Sequence, residues 1–148
     1  MLDVRCQLKT PTNIRHLTSG ICFMKLFTVE EANALLPTVR GVVGRIQRAY
    51  ARVSASQEQA RLAAAGAAHG GGGMEGGGGY VLSLSELAEA SGELEELGVQ
   101  LKDYARGLID FPTLREGRVV LLCWQMGEGD ELEWWHDLEA GFAGRQPL

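Results

Sequence analysis

From Val29 onward, apolar residues recur at Val29, Ala32, Leu36, Val39, Val43, Ile46, Tyr50 and Val53. Steps that alternate between three and four make a heptad seam at coiled-coil spacing, and they predict one long helix from Thr28 to about residue 65. Thr28 and Glu31 have the residue types and spacing of a capping box, which marks where that helix begins. Pro37 lacks the N–H that a helix interior needs, so a kink is expected near Asn33–Leu36. A second 3/4 pattern, Leu84, Leu87, Ser91 and Leu94, predicts a helix over Tyr80 to Leu97. Ser83 or Ser85 is its expected cap, and Gly98 its stop. Between the two helices, residues 66–79 read GAAHGGGGMEGGGG, which has the composition of a flexible linker.

At Val99 the period changes to that of strands. Val99–Lys102 alternates, Gly107–Phe111 is a short run closed by Pro112, and Arg118–Trp124 is almost continuously apolar, as a central strand would be. Glu131–Trp135 reads as a further strand, and the Gly-punctuated tail is expected to wrap back over the sheet. No helix separates these strands, so the sheet should be antiparallel. The fold class is α+β: a long antiparallel helical hairpin followed by a small antiparallel sheet of three to four strands. Charge supports the hairpin. The first helix carries five Arg against three Glu, and the second carries five Glu and no base. The first helix is about twice as long as the second. Its surplus seam therefore predicts a second copy of the chain, a homodimer.

Residues 1–23 show neither period. They are expected to be a disordered extension ahead of a true start at Met24, leaving a single domain over 24–148. Cys6 and Cys22 fall in that extension. Cys123 alone remains in the body, so no disulfide framework is expected and a cytoplasmic location suits the chain. The net charge of −5 argues against nucleic-acid binding, and no apolar run approaches membrane-spanning length. Arg40, Arg45, Arg48, Arg52 and Arg61 then read as a solvated or ion-paired helix face.

The segments FTVEEANALLP, GLIDFP, LCWQMGE and WWHDLEAGFAGRQPL resemble the uncharacterised bacterial and archaeal family known as domain of unknown function 2203, over about residues 26–148. The resemblance implies a small cytosolic protein that starts near Met24. It implies no activity. The glycine-rich linker departs from the family pattern and reads as a local insertion.

The residues with chemical potential are Asp110, Cys123, Glu128, His136 and Asp137. A histidine, carboxylates and a thiol suit a divalent metal such as zinc, iron or manganese, and the same groups suit general acid–base work. There is no HExxH and no CxxC pair. The plainer reading has Asp110 and Glu128 satisfying turn N–H groups and His136 hydrogen-bonded to Asp137. Trp134 and Trp135 should point to opposite faces of their strand, and with Arg145 they form a candidate contact surface. Arg145 is also placed to clamp Glu128 or Asp137 bidentately. Two functions follow. The first is a non-enzymatic interaction or regulatory module that homodimerises through the long helix and takes a protein partner. The alternative is a metal-binding protein or metal-dependent enzyme with its site near Glu128 and His136.

Overall fold

The computed structural model describes residues 24–67, 69, 70 and 73–148. The expectations for residues 1–23, including Cys6 and Cys22, lie outside the described residues. The first helix, α1, is Val29–Ala67. It starts at the capping box: the Thr28 N–H donates to Glu31 Oε2 at 2.9 Å, and the Glu31 N–H donates to Thr28 Oγ1 at 3.1 Å. Pro37 stands inside the helix on its exposed side. Ala32, Leu36, Val39, Val42, Val43, Ile46 and Ala49 are buried, so the seam points inward as its spacing requires.

The second helix, α2, is Gly77–Leu97. It begins earlier than the cap residues suggested, because Gly77–Gly79 form its first turn and the linker between helices is correspondingly short. Ser83 is not a cap. It is buried inside the helix, where its Oγ accepts from Arg52 Nε at 3.1 Å. The inward face is also rotated from the expected one. Tyr80, Ser83, Leu87, Ala90, Leu94 and Leu97 face in to varying depth, whereas Leu84 faces solvent. Gly98 ends the helix as expected, in the left-handed region at φ 85°, with its N–H on Glu95 O at 2.9 Å. The helices run antiparallel, tied by ion pairs Arg45–Glu93 and Arg52–Glu86.

Five strands follow: β1 (Gln100–Asp103), β2 (Leu108–Arg115), β3 (Arg118–Gln125), β4 (Trp134–Asp137) and β5 (Gln146–Pro147). They form one antiparallel sheet in chain order. The sheet has five strands where three to four were expected, and two of the expected strands have other bounds. β2 continues through Pro112, where a stop was expected. β1 has ended by that point, and the Pro112 carbonyl accepts the Phe27 N–H at 2.8 Å on that side, so the missing N–H costs no ladder bond. β4 begins only at Trp134, because the Leu132 N–H is taken by Asn33 Oδ1 of α1 at 2.7 Å. The fifth strand is the tail itself, paired to the edge of β4.

One face of the sheet carries Ile109, Phe111, Val120, Leu122, Trp124 and Trp135. These join Ala32, Leu36, Val39, Val43, Ile46 and Leu94 of the helices in a single core. The early turns of α1, beyond the reach of α2, lie against this face. Arg40 fastens them with bonds to Asp130 Oδ1 at 2.7 Å and Gly129 O at 2.9 Å. The surplus seam, expected to need a second copy, is covered by the chain's own sheet. Among the described residues, no helix is long and apolar enough to cross a membrane.

Candidate functional site

The side chains that point away from the core follow from strand alternation. Asp110 pairs with Cys123, which pairs with Trp134. In the next row, Pro112 pairs with Leu121, which pairs with His136. Residues two apart share a face, so three adjacent strands bring Asp110, Cys123 and His136 to one spot on the outer face. Their ligand atoms, a carboxylate oxygen, Sγ and a ring nitrogen, all lie within 4.8 Å of one another. The three residues are 1%, 0% and 3% exposed. Asp110 is interior to β2, not at a strand end, and among the described residues it accepts from no turn N–H.

The other two expected ligands are elsewhere. Glu128 lies in the turn after β3. Its Oε2 accepts the Gln125 N–H at 2.8 Å, as the plainer reading had it, and its carboxylate receives Arg145 bidentately at 2.5 and 3.2 Å. The Asp137 carboxylate accepts from Arg118 at 2.5 Å, and only its backbone carbonyl meets His136. Of the residues read as a contact surface, Trp135 is buried in the core and Arg145 is turned inward, leaving Trp134 half-buried. The two tryptophans do lie on opposite faces.

Two further groups reach the cluster: Lys102, which carried no cue in the sequence, and Arg145, expected as a clamp on a carboxylate but not as a donor to the thiol. Lys102 Nζ of β1 is 3.8 Å from the second oxygen of Asp110. Arg145 Nε donates to Cys123 Sγ at 3.1 Å. Lys102 shares the alternation of β1 that faces Asp110, but only the strand register makes this visible.

The electrostatics define what the cluster can do. His136 Nδ1 lies 2.8 Å from the Asp137 carbonyl. A carbonyl oxygen only accepts, so Nδ1 carries a proton. The other nitrogen, Nε2, faces Asp110 Oδ1 at 3.3 Å. In a neutral ring that nitrogen is an acceptor too. Two acceptors facing each other repel unless a cation lies beside them, and the Lys102 ammonium, 3.8 Å from Asp110, is one such charge. Cys123 is held as a thiol. Burial first, then the negative charge of Asp110, push its pKa up to about 12, against the partial relief of Arg145. A buried thiol that holds its proton is a weak nucleophile near neutral pH.

A family model described as Uncharacterized conserved protein (DUF2203) matches residues 25–148. The chain belongs to this family. The match takes in both helices and all five strands, and so the whole Asp110–Cys123–His136 cluster. No curated protein and no solved structure matches the chain.

Proposed function

We propose that this protein binds a divalent ion of the zinc class through Cys123 Sγ, His136 Nε2 and a carboxylate oxygen of Asp110. The carrying observation is the histidine. Its Nδ1–H is spent on a backbone carbonyl and its Nε2 lone pair is aimed at a carboxylate and a thiol, the arrangement that orients metal-ligating imidazoles. A tetrahedral ion with ligands at about 2.0–2.3 Å separates them by roughly 3.3–3.7 Å. The Nε2–Oδ1 distance of 3.3 Å falls on that edge. One thiolate, one imidazole and one carboxylate favour zinc over the harder ions, and three protein ligands leave a fourth position for water. The high thiol pKa is no barrier, because a coordinating ion displaces the thiol proton outright, and that proton goes to solvent.

The test is elemental analysis of untagged protein purified without chelator, followed by Zn²⁺ titration. Wild type should hold about one ion per chain, and Cys123→Ser and His136→Ala should lose it. Asp137→Ala should keep it, because that carboxylate lies with Arg118, away from the cluster. A wild-type protein that neither retains nor takes up Zn²⁺ would sink the reading.

A separate observation favours self-association, on a different surface from the one first expected. Val81, Leu84 and Ala88 are three and four residues apart on α2 and all exposed, with Leu82 beside them. Val81 and Leu82 are 62% and 72% exposed. A short apolar stripe on one helix is self-complementary across a two-fold axis, so its natural occupant is the same stripe of a second copy.

A further inference from the structure

Building on the metal reading, we propose that residues 138–148 are a strap that must lift for an ion to reach or leave the Asp110–Cys123–His136 cluster, with Phe142 as its clasp. The three ligand residues are almost wholly shielded from water, so an ion has no direct path to them in the closed structure. The tail joins that shield through Arg145, which lies on Cys123. Leaving β4, the chain reverses through a tight single turn of 3-10 helix, Phe142–Gly144, where a Cβ on Gly144 would stand 2.5 Å from that of Ala140. The reversal lays Arg145 onto the sheet, with Nε on Cys123 Sγ at 3.1 Å and the fork on Glu128. The Phe142 ring then lies 4.2 Å from the Arg145 guanidinium and 4.5 Å from that of Arg106.

Arg106 belongs to the turn between β1 and β2, whereas β5 pairs with β4 at the other edge of the sheet. The strap is therefore anchored at one edge and clasped toward the other. The anchor is made of the short β5 ladder, the bond from Trp135 Nε1 to Pro147 O at 3.2 Å and that from the Leu148 N–H to Glu133 O at 3.0 Å. Residues 138–145 are exposed or half-buried, and the strap is held across the site by the polar and cation–π contacts of Arg145 and Phe142. A segment with so little apolar burial opens locally, well short of global unfolding.

A gate leaves a kinetic signature that a ligand does not. When an ion enters and leaves only through the open form, both rates scale with the population of that form, and their ratio is unchanged. Full-length protein would be loaded with Zn²⁺. Uptake would be followed by competition with a chromophoric chelator, and release by an excess of EDTA. Phe142→Ala removes both cation–π contacts and should raise uptake and release together by about tenfold, leaving affinity within about twofold. Arg106→Ala, on a different element, removes one contact and should raise both rates about threefold. Phe142 and Arg106 are exposed, and unchanged circular dichroism would establish that both variants are folded. Wild-type rates in both variants, or a change in release alone, would overturn the gate while leaving the metal site standing. Failure of wild type to take up Zn²⁺ would overturn both.

Discussion

Cys123 is the residue whose chemistry burial changes most. The folded chain keeps its thiol proton up to about pH 12, while an unfolded chain releases it from about pH 9. In the metal-free protein folding thus retains a proton that unfolding sheds, so stability is complete below that window and falls as pH rises through it. The loss approaches roughly 4 kcal/mol at the top of the window. Denaturant melts of metal-free wild type and Cys123→Ala between pH 8 and 11 should show the steeper decline in wild type. Parallel slopes would refute the shift. The same burial predicts that iodoacetamide at pH 8 labels Cys123 far more slowly in the native protein than in urea. At this scale the sequence was a good guide to residue types and a poor guide to roles. It led with Glu128, His136 and Asp137 and put Asp110 and Cys123 behind them, whereas His136 stands with Asp110 and Cys123 in the folded chain. What separates them is which strand face each occupies and which arginine has already claimed its carboxylate.

The two helices show which local signals survive folding. The capping box of Thr28 and Glu31 forms as read, because it involves only neighbouring backbone. Thr28→Ala should lower stability by about 1 kcal/mol in chemical denaturation. A loss near zero would mean that the helix start is held by the Phe27 N–H bond to Pro112 O instead. The face of α2 was less legible. Leu84 looked like a seam residue, yet Ser83 takes the inward position, since Arg52 of α1 supplies a partner for its hydroxyl. The bond from Arg52 offsets the cost of burying the Ser83 hydroxyl, and no feature of α2 alone announces it. In the strands, Pro112 looked like a terminus because proline lacks a donor. Its N faces a side of β2 where β1 has already ended, a fact about neighbours and not about proline.

At the scale of the molecule, the question is what covers the apolar surface of the long helix. Val43 and Ile46 are fully buried within one chain, between α2 and the sheet. Val43→Asp should therefore unfold the protein, with a loss above about 3 kcal/mol, in place of converting a dimer to folded monomers. The exposed apolar surface is instead on α2. Sedimentation of wild type and of a Val81→Lys, Leu84→Lys double variant distinguishes the cases. A wild-type dimer that becomes a folded monomer supports self-association through this stripe. A wild-type monomer, or a variant dimer, excludes it.

The heptad spacing, the capping box, the change from period 3.6 to period 2 at Val99 and the charge contrast between helices are all local or additive properties of the chain. They determined the α+β class, the element order and the antiparallel sense of the sheet. Strand register, the docking of the first turns of α1 on the sheet and the return of the tail as β5 depend on contacts between residues tens of positions apart. A slip of one residue in register would send Asp110, Cys123 and His136 to different faces. Only the tertiary structure could decide that these three meet, that Arg145 closes over the thiol and that Glu128 and Asp137 do not take part.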